Sequence, residues 1–246
     1  MDTPIATPQP IRPPAWPAGW HVDVVDETGS TNADLLAAAS AGAPDRSVLA
    51  ARHQTAGRGR LDRRWDAPAG ANLLVSLLFR RVPEHPHELT QRVALAAAAA
   101  CQRVAGVRPD LKWPNDLLLD GAKLAGVLAQ AQLGAEPAVV VGIGINCRWA
   151  PPDGARLGAA VDPLVLLAEM LRSFDALPHD VAPLYRSRLA TLGRRVRVEL
   201  NDGVVIGTAV DVEPDGRLVV NSGDVDGDDG ATHRFAVGDI VHLRPA

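Results

Sequence analysis

The sequence predicts an α+β protein in which a strand-rich centre with helices is followed by a small β-barrel. Two short apolar runs, at 72–79 (NLLVSLLF) and 138–146 (VVVGIGIN from residue 139), have the length of buried strands. An alanine-rich stretch at 90–105 has the composition of a helix that packs closely on a sheet. From Gly193 onward the chain consists of short alternating segments separated by NDG and EPDG turns, a pattern typical of a small barrel.

Composition restricts the class of protein. The chain has 246 residues, 47% of them hydrophobic, and a formal net charge of −4. That charge argues against a general nucleic-acid binder, which needs a basic surface. No apolar run approaches the ~18 residues of a membrane helix, and the N-terminus lacks the pattern of a secretory signal. Cys101 and Cys147 lie in apolar contexts and are interpreted as small core residues, so we expect a cytoplasmic protein without membrane association.

The first third of the chain is predicted to alternate strands and helices after a proline-rich leader at 1–20, which we expect to be extended or loosely ordered. A strand begins at His21, and GSTNADLLAAASAG indicates a helix. Thr31 and Asp34 have the spacing of a capping box, and Gly42 is a plausible stop. A strand at 47–52 then leads into a long loop at 52–71.

The remaining elements divide the chain into two domains. Further strands are predicted around 117–119, 123–132 and 138–146, and helices at 161–176 and 180–192. The change of pattern near residue 192 places the domain boundary there, giving a catalytic domain at 21–192 and a barrel domain at 193–246. The acidic run from Asp224 to Asp229 lacks the spacing of a calcium loop and is interpreted as a hairpin tip.

The loop GRGRLDRRW at 57–65 concentrates groups that bind anions. Gly57 and Gly59 permit close approach of the backbone to a ligand, and Trp65 offers a flat face for an adenine ring. Arginine is the best bidentate partner for phosphate or carboxylate, and the loop contains Arg58, Arg60, Arg63 and Arg64. Taken alone, the loop is equally compatible with a basic surface anchored by its tryptophan. It is not a dinucleotide fingerprint, because Asp62 occupies the third glycine position.

The segment KWPNDLLLDGAKLAG at 112–126 contains a second group of candidates. Asn115 and Asp116 precede a strand, where they could help hold ATP phosphates and magnesium. Lys123 lies in an otherwise apolar run and is either a solvated strand end or a cation directed at an anionic ligand. Gly142 and Gly144 are interpreted as thinning a central strand for close backbone approach.

Other polar groups give weaker indications. The run Ser30-Thr31-Asn32 is normally only a helix cap, although a helix N-terminus also suits a polar ligand. None of the seven histidines forms a recognisable nucleophile motif with a serine or cysteine. The sequence therefore has no hydrolase signature.

Four motifs together resemble the biotin protein ligases. ETGSTN at 27–32, HQTAGRGRLDRRW at 53–65, KWPNDLLLDGAKLAG at 112–126 and VVVGIGIN at 139–146 occur in the order and approximate spacing of that family. The resemblance spans about 21–246. It implies a catalytic domain similar to class II aminoacyl-tRNA synthetases, a mixed sheet with flanking helices, followed by an SH3-like barrel.

The resemblance also implies roles for individual residues. It makes Ser30, Thr31, Asn32 and Gln54 the pocket for the ureido ring of biotin, and Gly57, Arg58, Gly59 and Arg60 the loop over biotin and the adenylate phosphate. Lys123 matches the lysine that reaches the biotin carboxylate and the reacting phosphate, so Lys123, Arg58 and Arg60 are the candidate catalytic residues. Candidate ATP-binding residues are Arg63, Trp65, Asn115, Asp116 and Asn146. The family loop commonly has a further glycine where this chain has Leu61 or Asp62, a departure that bears on loop mobility.

The implied reaction uses ATP and biotin as substrates, with Mg²⁺ accompanying the nucleotide. Biotin is activated to biotinyl-5′-AMP and then transferred to a lysine in the biotin carboxyl carrier domain of an acyl-CoA or pyruvate carboxylase. The sequence names neither the metal ligands nor the oligomeric state.

Three alternatives remain at this stage. A lipoate protein ligase shares the catalytic fold, but its loop has a run of glycines after paired arginines that is absent here. A biotin-responsive repressor needs a DNA-binding domain, which the proline-rich leader is too short to supply, so we predict no specific DNA binding. A non-catalytic binding module is disfavoured by Lys123 and the arginine loop.

Overall fold

A computed structural model describes residues 15–60, 63–132, 136–200, 203–222, 230–236 and 239–242. The larger domain contains seven strands and four helices. The strands are β1 His21–Thr28, β2 Ser47–Gln54, β3 Leu73–Phe79, β4 Asp110–Lys112, β5 Asp116–Leu119, β6 Ala122–Gln132 and β7 Ala138–Ile145. The helices are α1 Thr31–Ser40, α2 His87–Ala105, α3 Pro163–Asp175 and α4 Ala182–Arg188.

The seven strands form one mixed sheet in the order β1-β2-β3-β7-β6-β5-β4. Among the described strands of this sheet, only β1 and β2 run parallel, because α1 connects them as a crossover. The central pair, β3 and β7, aligns Leu73 with Ile145 and Phe79 with Val139, and every residue of β3 is buried. A strand covered on both faces has no need of polar alternation, which explains its continuous apolar sequence.

Helices cover the two faces of this sheet unequally. Leu73, Val75, Leu77 and Phe79 face the side covered by α2 and α3, where the alanines of α2 permit close packing. Leu78 belongs to the smaller cluster under α1. Since side chains alternate along a strand, Ser76 shares the α1 face and reaches the start of that helix. This alternation places a polar group of the central sheet beneath the N-terminus of α1.

The C-terminal region forms a separate five-stranded antiparallel sheet. Its strands are β8 Arg195–Leu200, β9 Gly203–Val212, β10 Leu218–Asn221, β11 Thr232–Phe235 and β12 Asp239–His242, in the order β11-β10-β9-β8-β12. Val196 and Val198 are fully buried in a core continuous with that of the larger domain. The turn between β9 and β10 packs on the larger domain, where Gly216 O accepts a 2.9 Å hydrogen bond from Trp113 Nε1.

Most predicted elements are confirmed, with several differences at their ends. α2 begins three residues before the predicted 90, α4 is shorter than 180–192, and β2 continues to Gln54, so the following loop starts later. The three-residue β4 was not predicted because it is too short to show periodicity. The capping box is wrong: Ser30 is the N-cap, its side chain makes no cap hydrogen bond, and Asp34 accepts instead from Thr28 Oγ1.

The leader also differs from expectation in its described part. Trp20 is buried, stacks edge-on against Phe79 and Phe174, and donates from Nε1 to Asp175 Oδ2 at 3.0 Å. Residues 15–20 are therefore attached to the domain rather than loosely ordered. Residues 1–14 and the acidic run at 224–229 lie outside the described residues. Among the described helices, none has the length and apolarity needed to cross a lipid bilayer.

Candidate active site

One end of the candidate site is a polar cluster at the start of α1. Gln54 Oε1 accepts from the Thr31 backbone N at 2.8 Å and from Thr31 Oγ1 at 3.0 Å. Gln54 thereby satisfies an N–H group that a helix start leaves without an intrahelical partner. Its oxygen is committed to Thr31, so the Nε2 amide, on the side of Gly57, is the part of Gln54 that can bind a ligand acceptor.

Asn32 and Ser76 connect this cluster to the sheet through hydrogen bonds. Asn32 is buried, donates from Nδ2 to Leu128 O at 3.1 Å and to Gln130 Oε1 at 2.9 Å, and accepts from Ser76 Oγ at 2.5 Å. A Cβ at Gly142 would lie 2.1 Å from Asn32 Oδ1. The close backbone approach predicted at Gly142 is therefore confirmed. Asn32 is held entirely by protein groups and orients the cluster, while Ser76 was missed because a lone serine in an apolar strand gives no motif.

The Gly-Arg loop folds back on itself over the sheet. Gly59 N donates to Arg63 O at 2.6 Å, and Trp65 N donates to Gly57 O at 3.0 Å. A Cβ at Gly57 would lie 2.3 Å from Trp65 O, which explains the glycine there. Arg60 donates from its guanidinium to Asn115 Oδ1 at 3.3 Å, so the loop contacts the 112–126 motif directly.

The Trp65 indole contacts two glycines of the central sheet. Ideal Cβ atoms would lie 2.4 Å from its indole at Gly144 and 3.3 Å from it at Gly126. The glycine at 144 therefore makes room for an aromatic ring, which confirms the interpretation of a thinned strand. The buried Trp65 Nε1 has no hydrogen-bond partner among the described residues.

The second motif brings opposite charges together beside Trp65. Lys123 Nζ lies 2.7 Å from Asp116 Oδ1, and the same ammonium is 5.8 Å from the centre of the Trp65 ring. The lysine and carboxylate form an ion pair whose geometry is not that of an aligned hydrogen bond, since Asp116 Oδ1 has no such partner. The Asn115 amide also donates to Val127 O at 2.8 Å. Both polar residues of the motif are thus fixed at the edge of β5 and β6.

These groups line one cavity of about 630 Å³. It is bordered by every predicted site residue except Gly57, namely Ser30, Thr31, Asn32, Gln54, Arg58, Gly59, Arg60, Arg63, Trp65, Asn115, Asp116, Lys123 and Asn146. The structure therefore brings together segments that are up to 116 positions apart in the sequence, from Ser30 to Asn146.

The cavity also contains residues that the sequence did not indicate. Trp149 and Asp153 line it from the loop after β7, and Glu199 and Ile240 line it from the C-terminal sheet. Two strands of the C-terminal sheet, β8 and β12, therefore supply part of the cavity wall. No motif marks these residues, since their position depends on how the two sheets pack.

The charges of the cavity favour a polyanionic ligand. Six basic side chains line it, against four carboxylates: Arg58, Arg60, Arg63, Arg64, Lys112 and Lys123 against Asp66, Asp116, Asp153 and Glu199. Burial raises the pKa of the Cys101 and Cys147 thiols to about 12, so neither is a thiolate nucleophile near neutral pH. Within the described ranges, no group of three His, Cys, Asp or Glu side chains could hold a metal ion. The site is therefore suited to stabilising charge on bound anions rather than to covalent catalysis by a thiol.

Comparison with known families agrees with this geometry. A model described as the biotin/lipoate A/B protein ligase family matches residues 24–146, and the biotin protein ligase C-terminal domain matches residues 191–243. The chain belongs to the biotin/lipoate A/B protein ligase family. The first match contains all four motifs, and the second covers the C-terminal sheet.

Individual relatives and solved structures are similar over most of the chain. The chain is 42% identical over 252 aligned residues to the biotin–[acetyl-CoA-carboxylase] ligase of Mycobacterium tuberculosis, covering 92% of this chain and 91% of the relative. It is 29% identical to the bifunctional ligase/repressor of Bacillus subtilis, covering 83% of this chain and 70% of that protein. In fold it is similar to the biotin protein ligase of Aquifex aeolicus in complex with biotin and ATP, with a TM-score of 0.74, 24% identity, and coverage of 92% and 99% of the two chains. These findings confirm the resemblance drawn from the motifs.

Proposed function

We propose that this chain is a biotin protein ligase. It joins biotin to ATP, giving biotinyl-5′-AMP and pyrophosphate, and then transfers biotin to a lysine of a biotin carboxyl carrier protein, releasing AMP. The main observation in support is that one cavity has a neutral polar end, at Thr31 and Gln54, and a cationic end, at Arg58, Arg60 and Lys123. Biotin has the matching distribution, with a ureido ring at one end and a carboxylate at the other.

In the first step, a carboxylate oxygen of biotin attacks the α-phosphorus of ATP, and pyrophosphate leaves with the electron pair of the broken bond. Two anions must approach each other, so the barrier is largely electrostatic. Arg58, Arg60 and Lys123 would neutralise this charge, with Ser30, Thr31 and Gln54 holding the ureido ring. Arg63, Trp65 and Asn115 would hold the nucleotide. Asn146 would act as a wall residue, because its side-chain atoms bind protein groups.

Magnesium accompanies ATP in this proposal. Mg²⁺ in nucleotide sites is commonly held by one or two carboxylates together with the phosphates. Asp116 fits that requirement: its carboxylate is mostly buried at the cavity, beside the amide of Asn115. The metal would supply further neutralisation of phosphate charge.

In the second step, the unprotonated ε-amine of the carrier lysine attacks the acyl carbon of the mixed anhydride, and AMP leaves. Water would destroy this anhydride, so it must be shielded. The Gly-Arg loop is placed to do so, because its hairpin is attached to Asn115 through Arg60. No enzyme nucleophile is needed, in agreement with the raised pKa of both thiols.

Finer features are proposed on the resemblance. The larger domain, 21–192, would be of the class II aminoacyl-tRNA synthetase type, and 193–246 would be an SH3-like barrel, with 1–20 as a leader. Location in the cytoplasm, and an acyl-CoA or pyruvate carboxylase as carrier, are further parts of the proposal. Absence of specific DNA binding stays a prediction, and nothing in the described residues supports the repressor alternative.

The direct test is incubation with labelled biotin, ATP, Mg²⁺ and a carrier domain. We expect label on the carrier only when ATP is present, and pyrophosphate release with biotin but not with lipoate. We expect this preference because the dithiolane ring of lipoate has no ureido oxygen or N–H for Thr31 and Gln54. The lipoate alternative predicts the reverse preference. Pyrophosphate release with neither acid, or lack of transfer to any carrier lysine, would contradict the proposal.

Arg60→Ala and Arg58→Ala are each expected to weaken the affinity for biotinyl-5′-AMP by about 10-fold or more, since a hydrogen bond to a charged group contributes about 1.5–3 kcal/mol. The adenylate should then appear in free solution, where it hydrolyses. Calorimetry and chromatography of the reaction mixture measure the two effects, with exposed Arg81→Ala as the control. Wild-type adenylate affinity in both variants would show that the loop arginines do not hold the intermediate.

Gly144→Ala is expected to displace Trp65, because the new methyl group would lie 2.4 Å from the indole. Overpacking commonly costs about 1–3 kcal/mol, so we expect the KM for ATP to rise by about tenfold. Steady-state kinetics measure this change. The matched control is Gly203→Ala, where a Cβ meets no atom within 4 Å. Equal KM values for ATP in the two variants would disprove a role for the Trp65 position in nucleotide binding.

A further inference from the structure

Two buried asparagines form a network beside the candidate catalytic lysine. Asn72 directly precedes β3, and Asn146 directly follows β7, which is its antiparallel neighbour. The two residues are 2% and 3% exposed, respectively, and Asn72 Nδ2 donates to Asn146 Oδ1 at 3.2 Å. Because β3 and β7 pair in register through Leu73 and Ile145, the two amides meet at the end of the ladder.

Asn146 transmits this contact to Lys123. Its Nδ2 donates to Lys123 O at 3.4 Å and to Ala155 O at 3.0 Å, and its backbone N donates to Leu124 O at 2.9 Å. The same Lys123 carbonyl also accepts from Ala155 N at 2.9 Å. The Lys123 carbonyl therefore accepts from the Asn146 side chain and from the Ala155 backbone N, and the Asn146 amide also binds the Ala155 carbonyl.

Asn72 determines that orientation. Its Oδ1 already accepts from the backbone N atoms of Cys147 at 3.0 Å and Trp149 at 3.3 Å. Its Nδ2 is therefore the part that meets Asn146, and a donor there requires the Asn146 oxygen to face it. With the oxygen so directed, the Asn146 N–H groups can point only toward Lys123 O and Ala155 O. A buried network in which every member is satisfied specifies one arrangement.

We propose that Asn72 is a positioning residue for adenylate formation, acting through Asn146 on Lys123. This inference rests on the proposed function. It concerns a residue outside the four motifs, and Asn72 does not line the cavity. The separation of Asn72 from the residues proposed to hold the ureido ring is equally important. Thr31 and Gln54 make their hydrogen bonds with each other and with Ser76, and none of these involves either asparagine. Loss of the network should therefore affect the rate of the chemical step and leave biotin affinity unchanged.

The test compares Asn72→Ala and Asn72→Asp in pyrophosphate release with biotin, ATP and Mg²⁺. Asn72→Asp keeps acceptors for Cys147 N and Trp149 N but replaces the donor, which forces the Asn146 amide to turn away from Lys123 O. We expect kcat to fall tenfold or more in both variants, with the KM for biotin within twofold of wild type. Ser173→Ala is the control. It removes a different buried polar group, the α3 hydroxyl that accepts a hydrogen bond from Arg103 of α2, and should leave kcat unchanged.

Repeating the substitution in a chain that already carries Lys123→Ala separates a positioning role of Asn72 from general destabilisation. If Asn72 acts through Lys123, Asn72→Ala should cause little further loss of kcat in a chain that already carries Lys123→Ala, because residues acting as a unit are not additive. The same fold-loss in both backgrounds would overturn the inference. So would an unchanged kcat in the single variants, a loss expressed only in the KM for biotin, or failure of both single variants to fold. Inactivity of the wild-type chain would instead refute the proposed function.

Discussion

Lys123→Ala should retain the fold but lower the rate of pyrophosphate release by about 10²–10³-fold, the usual effect of removing one group that stabilises transition-state charge. The fold should survive because the Lys123 side chain is 41% exposed and its main-chain bonds do not require the ammonium. The loss should be large because Asp116, only 19% exposed, would lie beside the approaching anions without its lysine partner. Removing Lys123 therefore takes away a cation and leaves its carboxylate partner without compensation.

Two further variants make this result specific. Lys123→Arg keeps the charge and should retain more activity than Lys123→Ala. Arg103→Ala removes a cation of comparable exposure that pairs with Glu169 on the far helices, and it should have no effect on adenylation. Rapid-quench measurement of pyrophosphate with saturating biotin and ATP gives the rate. A wild-type rate for Lys123→Ala would eliminate this lysine as a catalytic residue.

Removal of residues 193–246 should abolish adenylation and lower the solubility of the remaining chain. Trp113 and Tyr185, 3% and 4% exposed, belong to the core that the two sheets share, and Arg186 Nε donates to Val212 O at 2.9 Å. Exposing one large apolar side chain lowers the free energy of unfolding by about 1.5–3 kcal/mol. Loss of several such contacts therefore removes much of the stability of a domain. Trp113 also lines the cavity beside Asn115 and Asp116, which links the C-terminal sheet to the site.

A milder variant tests that link without removing the domain. Trp113→Phe keeps an aromatic ring but loses the hydrogen bond to Gly216 O, and we expect a smaller loss of both thermal stability and adenylation rate. Thermal unfolding and pyrophosphate release are measured for the truncated, Trp113→Phe and full-length chains. A soluble truncated protein that adenylates biotin at the full rate would show that the C-terminal sheet is dispensable.

The sequence by itself was sufficient for the elements whose pattern is local. The continuous apolar run of β3 reflects burial on both faces, and the alternating segments after Gly193 reflect strands with one buried face, so both were predicted correctly. The candidate site residues were named from four motifs that together resemble a known family, since the Gly-Arg loop taken alone was equally compatible with a basic surface. Every one of these candidates except Gly57 lines the same cavity.

Tertiary structure decided which polar groups contact one another. Ser30 is the N-cap residue that local sequence predicted, but its side chain makes no cap hydrogen bond, and Gln54 from β2 accepts from the first helical N–H. The contact of Lys123 with Asp116 depends on the antiparallel register of β5 and β6, which shifts between Leu117 and Leu118. The Asn72–Asn146 pair likewise exists only because β3 and β7 end together. Strand register is set by packing of whole faces against helices, so no local pattern specifies which amide will meet which.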